Sequence, residues 1–126
     1  MEILSSRTIL RPRDYDATLQ FYGRTLGLAI AREYPGGTVF FAGQGLIEIA
    51  AHGGRDDAQS FHGALWLQVR DVYAAQNELA EAGIPITRAA RQEPWGLHEM
   101  WIDDPDGIPL VLVQIPPDHP IRRDLR

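Results

Sequence analysis

The strongest constraint on the fold of this chain is a pattern of one strand, one helix and three strands that occurs twice. Each copy has an aspartate where a helix is expected to begin and a glycine where it is expected to end: Asp14 and Gly27, then Asp71 and Gly83. Aspartate accepts hydrogen bonds from the unpaired first N–H groups of a helix, and glycine adopts the left-handed conformation that often terminates one. The two pairs have nearly the same spacing, which indicates an internal duplication.

Apolar residues between these signals recur at helical spacing in both copies. The predicted buried helix faces are Tyr15, Leu19, Tyr22 and Leu26, and then Val72, Ala75, Leu79 and Ala82. Strands are predicted where short apolar or β-branched runs lie between turns that contain glycine or proline. They are predicted at residues 8–10, 28–33, 38–42 and 46–51, and again at 64–69, 84–88, 97–102 and 109–115. The predicted fold class is therefore α+β, built from paired βαβββ modules.

A length of 126 residues suits one domain with its own core. We predict a single domain over residues 1–126, with module 1 at about 5–52, module 2 at about 62–116 and a tail at 117–126. The stretch from Gly53 to Asp57 is the predicted linker. The basic cluster of the tail, which consists of Arg122, Arg123 and Arg126, is interpreted as solvated.

Charge and composition exclude several function classes. A net charge of −5 argues against nucleic-acid binding, which depends largely on Lys and Arg neutralising phosphates. No apolar stretch approaches the length that spans a bilayer, and the first residues lack a secretion-signal pattern, so no membrane partner and a cytoplasmic location are expected. The chain contains no cysteine, which excludes disulfides and thiolate chemistry, so any metal would need His or carboxylate ligands.

Five short motifs follow one another along the chain: RD at 13–14, LQFYGRTLGL at 19–28, LIEI at 46–49, EPWG at 93–96 and DPDG at 104–107. Together they resemble the vicinal oxygen chelate superfamily, which includes glyoxalase I, extradiol dioxygenases, fosfomycin resistance proteins and bleomycin resistance proteins. The resemblance implies the glyoxalase/bleomycin resistance fold, in which paired βαβββ modules form a cupped mixed sheet around a cavity. It also implies a homodimer.

Enzymes of this superfamily usually place metal ligands at four strand positions, which correspond here to Arg7, Glu48, Ala64 and Val111. Only Glu48 can coordinate a cation. The guanidinium group of Arg7 is positively charged and has no free lone pair, and the side chains of Ala64 and Val111 have no atom that can coordinate a metal. One carboxylate falls short of the ligand sets that Zn²⁺, Mg²⁺ and Mn²⁺ require. No metal or other cofactor is therefore expected. A register shift of two residues leaves one alternative open, with His62 beside Glu48.

In this register Arg7 and Glu48 point into the same cavity. We predict that the two side chains form an ion pair, or that Arg7 presents its planar group to an anionic part of a ligand. The alternative is that either side chain reaches the rim of the cavity and is simply solvated.

Four residues of the second module complete the candidate ligand site. Trp66 and Gln68 share one strand face, where Trp66 offers a flat surface to a planar ligand, although a strand tryptophan is more often core. Trp95 is expected at the cavity mouth, and His98 is a candidate acid or base, although such a residue is more often polar surface. The predicted ligand-binding set is Arg7, Glu48, Trp66, Gln68, Trp95 and His98.

Other chemistry-bearing residues have simpler explanations. Asp104 and Asp106 flank a proline in a turn that ends with a glycine, which turn chemistry explains fully. His98 and the glutamate after it lack the second histidine of a zincin motif. His52 and His119 lie in the linker and the tail and are predicted to be exposed.

The sequence thus predicts a small-molecule-binding protein, most similar to the metal-free bleomycin resistance type, that sequesters a planar or partly aromatic, antibiotic-like ligand. The acidic net charge favours a cationic ligand at long range. Two enzymatic alternatives stay open: a metal-dependent lyase or dioxygenase of glyoxalase type, and a metal-free isomerase that uses Glu48 as its catalytic base. A third alternative is a dimerising or regulatory domain with a filled interior.

Overall fold

The structure is a computed structural model that describes residues 1–55 and 60–120. The linker residues Asp56 and Asp57, and the basic tail cluster of Arg122, Arg123 and Arg126, lie outside the described residues. Within the described part of the chain, no helix is long and apolar enough to cross a membrane.

The elements follow the order βαβββ twice, which confirms the predicted α+β class and the duplication. The strands are β1 (Thr8–Leu10), β2 (Ile30–Tyr34), β3 (Gly37–Ala42), β4 (Gly45–Ala50), β5 (Leu65–Gln68), β6 (Ile86–Gln92), β7 (His98–Asp103) and β8 (Pro109–Gln114). The helices are α1 (Tyr15–Gln20), which continues into a π-helical turn at Phe21–Thr25, and α2 (Val72–Glu81). The chain divides into two compact units, which are described separately.

Unit 1 comprises Met1–His62 together with Asp104–Asp106. Its sheet has the order β1-β4-β3-β2, in which β1 is parallel to β4 and the other pairs are antiparallel. One face of this sheet packs against α1, where the Tyr15 hydroxyl lies 3.0 Å from the Thr38 hydroxyl. Because side chains alternate along a strand, Val39 and Glu48 lie on the opposite face.

Unit 2 comprises Gly63–Asp103 together with Gly107–Arg126, and its sheet repeats the same order as β5-β8-β7-β6. The helix α2 contacts β6, β7 and β8 on one face. Its first N–H beyond the cap, that of Val72, donates to the Gln114 side chain at 2.9 Å. The opposite face carries Trp66, Val111 and Trp101 in one lateral row across three strands.

The predicted helix caps are confirmed. Asp14 accepts from the Ala17 N–H at 3.0 Å, and Asp71 accepts from the two N–H groups that follow Val72. Gly27 and Gly83 both have positive φ, at 71° and 80°, a conformation that side chains with a Cβ rarely adopt.

The end of the first helix differs from the prediction. The apolar spacing predicts a continuous helix to Leu26, but α1 gives way at Phe21 to a wider turn, in which the Leu26 N–H donates to the Phe21 carbonyl at 2.9 Å. The wider turn buries two consecutive aromatic rings, Phe21 and Tyr22, whose centroids lie 5.1 Å apart in an edge-to-face contact. Burial of both rings is a tertiary packing effect that helical spacing does not report.

Strand β6 also differs, because it extends four residues beyond its predicted end. Its pairing with β7 shifts register on either side of Arg88, and such bulges interrupt the alternation on which a strand prediction depends. The Ala90 N–H is held by the Gln76 side chain of α2 at 2.5 Å, so this part of β6 is fixed by a helix contact.

Turn chemistry alone does not explain the aspartates of the DPDG motif. Asp104 is buried and accepts a hydrogen bond from the buried Tyr22 hydroxyl at 2.8 Å. Arg55 bonds to both carboxylate oxygens of Asp106, at 2.9 and 2.8 Å. Burial and the neighbouring Asp104 raise the pKa of Tyr22 well above its usual range, so its hydroxyl remains a donor. The two aspartates therefore fasten their turn within unit 1.

Candidate functional site

Unit 1 carries a cluster of four polar side chains on the sheet face opposite α1. The polar cluster consists of Arg7, Tyr34, Glu48 and His52. Glu48 lies in the middle of β4, between Ile9 of β1 and its β3 neighbour, and only 6% of its surface is exposed. A buried carboxylate is costly unless it is hydrogen-bonded, so its partners decide what the cluster can do.

Both oxygens of the Glu48 carboxylate have donors. Arg7 Nη1 donates to Oε1 at 2.8 Å, and the Tyr34 hydroxyl donates to Oε2 at 2.5 Å. His52 Nε2 lies 2.9 Å from the Tyr34 oxygen and 3.6 Å from Glu48 Oε2. Because the single Tyr34 proton is given to Glu48, His52 donates to Tyr34 from Nε2.

The predicted ion pair between Arg7 and Glu48 is thus confirmed, and Glu48 has these partners rather than His62. The two members of the pair are not equally buried. The Arg7 side chain is 39% exposed and that of Glu48 only 8%, so Arg7 faces outward from a carboxylate that is enclosed.

The hydrogen bonds fix the ionisation of the cluster. Hydrogen bonding by Tyr34, and then by Arg7, holds the pKa of Glu48 below its ordinary value of 4.5. The same bond to Glu48 raises the pKa of Tyr34. At neutral pH, Glu48 is therefore a carboxylate, and Tyr34 is a neutral donor.

Two successive glycines make room for this arrangement. A Cβ on Gly37 would lie 2.8 Å from the Tyr34 hydroxyl oxygen and 2.6 Å from the Ile49 carbonyl oxygen, both too close. A Cβ on Gly36 would lie 2.8 Å from the His52 ring. The side chains of Tyr34 and His52 converge on Glu48 because β3 begins with glycine.

The sequence did not identify Tyr34 as a site residue, and it placed His52 in the linker. The side chain of His52 is indeed 47% exposed, but it bonds to Tyr34. The sequence signal for these residues is the glycine pair at 36–37, which as a local pattern predicts only a turn.

In unit 2, an apolar residue occupies the strand position that would correspond to a metal ligand. Val111 is flanked laterally by Trp66 on β5 and Trp101 on β7. It is buried in a cluster with Leu97, Val113, Ile115 and Trp101. Trp66 is 48% exposed, and Gln68 lies exposed two residues further along the same strand face. Ala64 precedes β5 and is exposed.

The two remaining predicted residues lie in different places. Trp95 is exposed in the turn between β6 and β7, and its Nε1 donates to the buried carboxylate of Glu99 at 2.8 Å, which fixes the ring. His98 lies on the α2 face of the sheet, where its Nδ1 is 2.7 Å from the Tyr73 hydroxyl. The structure therefore does not bring His98 together with Trp66, and a ligand contact of His98 stays a prediction.

The residues at the four metal-ligand positions do not fit a divalent cation. Both oxygens of Glu48 are engaged by donors, and Arg7 places a positive charge where a cation would sit. Ala64 and Val111 have no donor atom. Among residues 1–55 and 60–120, no group of three or more His, Asp or Glu side chains is arranged to hold a metal ion.

Comparison with known proteins identifies the family. The chain matches the Glyoxalase/Bleomycin resistance protein/Dioxygenase superfamily over residues 5–112, and it belongs to that superfamily. It is similar to a probable lactoylglutathione lyase of Synechocystis, with 31% identity over 120 residues, which cover 85% of this chain and 92% of that one. A second probable lactoylglutathione lyase, from Vibrio parahaemolyticus, is 31% identical over 123 residues, covering 85% of this chain and 87% of the relative.

Solved structures share the fold. A bleomycin-binding protein complexed with bleomycin superimposes with a TM-score of 0.68 and 27% identity, covering 90% of this chain and 100% of that chain. The lactoylglutathione lyase of Agrobacterium tumefaciens superimposes with a TM-score of 0.67 over 90% of this chain and 94% of that one. Its identity of 20% shows a common fold alone.

Substitution of Gly37 by alanine tests whether this glycine holds the polar cluster open. Because the new methyl group would meet both Tyr34 and a backbone carbonyl, we expect Gly37→Ala to lower the free energy of unfolding by about 1–3 kcal/mol. The matched control is Gly45→Ala at the start of β4, where a Cβ would meet its nearest neighbour at an ordinary 3.5 Å. Denaturant unfolding of both variants measures the effect, and equal stabilities would contradict this role of Gly37.

The acid dependence of stability tests the ionised state of Glu48. Because its pKa is lower in the folded than in the unfolded protein, its contribution is present above the unfolded value and is lost as the pH falls through the folded value. We expect Glu48→Gln to be less stable than the wild type at neutral pH and the difference to shrink below about pH 4.5. Urea unfolding between neutral and acid pH measures it. A difference that stays constant with pH would contradict the assignment.

Proposed function

We propose that this protein binds and sequesters a planar or partly aromatic small molecule without a metal and without changing it. The observation that carries the proposal is the hydrogen bonding of Glu48. Of the residues at the four metal-ligand positions, Glu48 alone has atoms that can coordinate a metal. Its two oxygens are occupied by Arg7 and Tyr34. With Glu48 bonded in this way, the protein retains a sheet face that can bind a ligand. It lacks the set of side chains that would coordinate a catalytic metal.

The apolar side of unit 2 supports a planar ligand. Trp66 is half exposed, and its partner across the sheet on β8 is the buried, apolar Val111. Its indole ring therefore offers a flat apolar surface to a ligand. Trp95 is exposed but fixed by its bond to Glu99, which reduces the entropy lost when a ligand stacks on it. Gln68 is an exposed hydrogen-bonding group on the same strand face as Trp66.

The relatives named as lactoylglutathione lyases favour a second candidate, a metal-dependent lyase. The identity of 31% supports common ancestry, but it does not supply ligands to the positions held here by Arg7, Ala64 and Val111. The bleomycin complex of a protein with 27% identity supports the binding function for the same fold. Family membership alone does not decide between them, because one fold hosts several activities.

A metal-free isomerase with Glu48 as its base is less consistent with the geometry. An effective general base has a pKa near the working pH, whereas hydrogen bonds hold the pKa of Glu48 below 4.5. Each of its oxygens also accepts a hydrogen bond, from Arg7 or from Tyr34, which stabilises the carboxylate and makes it a weaker base. The homodimer and the cytoplasmic location stay predictions, and neither enters this argument.

Binding of a neutral planar probe, naphthamide, tests the proposal. We expect saturable binding that EDTA leaves unchanged, and Trp66→Ala should weaken it about tenfold because a ring stack is lost. Tyr73→Ala is the control, because Tyr73 is a comparably exposed aromatic residue on α2. Titration calorimetry with and without EDTA measures the affinity. Glutathione and methylglyoxal, supplied with Zn²⁺ or Ni²⁺, should give no lactoylglutathione.

Two results would contradict the binding function. One is naphthamide binding that requires an added metal. The other is metal-dependent formation of lactoylglutathione from glutathione and methylglyoxal, which would make the lyase the correct assignment.

A further inference from the structure

The polar cluster of unit 1 has one member that is open to a ligand. Glu48 is enclosed, and each of its oxygens already accepts a hydrogen bond, so its charge is offset within the cluster. Arg7 uses Nη1 for Glu48, and among the described residues it has no other hydrogen-bond or ion-pair partner. The guanidinium group is planar with five N–H donors, so the edge formed by Nε and Nη2 is available for a two-point bond.

The local charge on this sheet face is positive although the whole chain is acidic. Arg32, Val39, Glu48 and Ile9 are lateral partners across the four strands, so Arg32 lies on the same face as the cluster. The Arg32 guanidinium carbon is 5.3 Å from the centre of the Tyr34 ring. Two arginines thus accompany one enclosed carboxylate, and at contact distance this local balance outweighs the net charge of the chain.

Exposed apolar side chains lie on the sheet face that carries Glu48. Ile9 is 44% exposed, and Phe41 is 52% exposed. Phe41 lies two residues from Val39 along β3, so its side chain is on the same face of the sheet as the polar cluster. Its partner on β4 is Leu46. The face therefore combines an apolar surface with a guanidinium edge.

We infer that Arg7 binds an anionic group of the ligand, and that the ligand class is an aromatic or planar carboxylate. This inference rests on the proposed binding function and deepens it. Glu48 holds one nitrogen of Arg7, so the remaining edge is presented in a fixed orientation to the carboxylate of the ligand. Arg7 occupies the position of a metal ligand in related enzymes, and here it supplies the positive charge itself.

Tyr34 is a positioning residue in this account. It does not contact the ligand, but it donates to Glu48, which in turn orients Arg7. Loss of the Tyr34 hydroxyl should therefore reduce the affinity for a carboxylate and leave the affinity for a neutral ligand of the same shape unchanged. A merely structural role would reduce both affinities together.

Three probes of matched shape test the inference: naphthoate, the neutral naphthamide and the cationic naphthylmethylammonium. We expect the wild-type protein to bind naphthoate about tenfold more tightly than naphthamide, and the cation least tightly, because the guanidinium bond is charge-assisted. Arg7→Gln should remove the preference, and Arg7→Lys, which keeps the charge without the planar edge, should keep part of it. Calorimetric titration at neutral pH gives the three affinities.

The control for Arg7→Gln is Arg91→Gln, because Arg91 is also an exposed arginine bonded to a buried carboxylate, that of Glu93, at 3.2 Å. The control for Tyr34→Phe is Tyr15→Phe, whose hydroxyl bonds on the α1 face. Both controls should retain the preference for naphthoate, and circular dichroism verifies that each variant is folded.

The outcomes separate this inference from the proposed function. Equal affinities for naphthoate and naphthamide, tighter binding of the cation, or an unchanged preference in Arg7→Gln would overturn the inference and leave metal-free binding intact. If none of the three probes binds at millimolar concentration, the inference and the proposed function both fail.

Discussion

The contact between Arg7 and Glu48 is the interaction on which the chemistry of unit 1 depends. Glu48 is a carboxylate in the middle of a strand with almost no exposed surface, and its charge would be costly there without partners. Arg7 and Tyr34 supply a donor to each oxygen. The rest of the cluster follows from this need, because Tyr34 reaches Glu48 only across a glycine at the start of β3.

The duplication extends to individual positions, and the chemistry diverges at those positions. One lateral row in unit 1 runs from Ile9 through Glu48 and Val39 to Arg32, and its counterpart in unit 2 is Trp66, Val111, Trp101 and Arg88. Both edge strands shift register next to their arginine. The central position is a bonded carboxylate in one row and a buried valine in the other. The same backbone thus presents a polar site in unit 1 and an apolar, tryptophan-flanked surface in unit 2.

The sequence predicted the features that local patterns determine. Helix caps at Asp14 and Asp71, the alternation of apolar residues in strands and the order of the elements all depend on neighbours in the chain, and each is present. The pairing of Arg7 with Glu48 was also predictable, because the motifs of the family fix the register of β1 against β4. The structure pairs Ile9 with Glu48, and Arg7 lies two residues before Ile9 along the chain.

The sequence could not predict contacts that depend on how distant segments meet. Tyr34 and His52 join Glu48 through strand pairing and through the missing side chains of two glycines, which a turn prediction does not anticipate. Asp104 was assigned to turn chemistry because its partner, Tyr22, is 82 residues away in sequence. A bulge in β6 likewise interrupts an alternation that the sequence was assumed to follow.

The central proposal is that the ion pair between Arg7 and Glu48 takes the place of a bound metal. Native mass spectrometry tests it most directly, with protein purified without added metal and then supplied with Zn²⁺, Ni²⁺, Mn²⁺ or Fe²⁺ and desalted. We expect the mass of the metal-free protein under every condition. One metal ion retained per chain would contradict it, because the ion would have to lie beside the positive charge of Arg7.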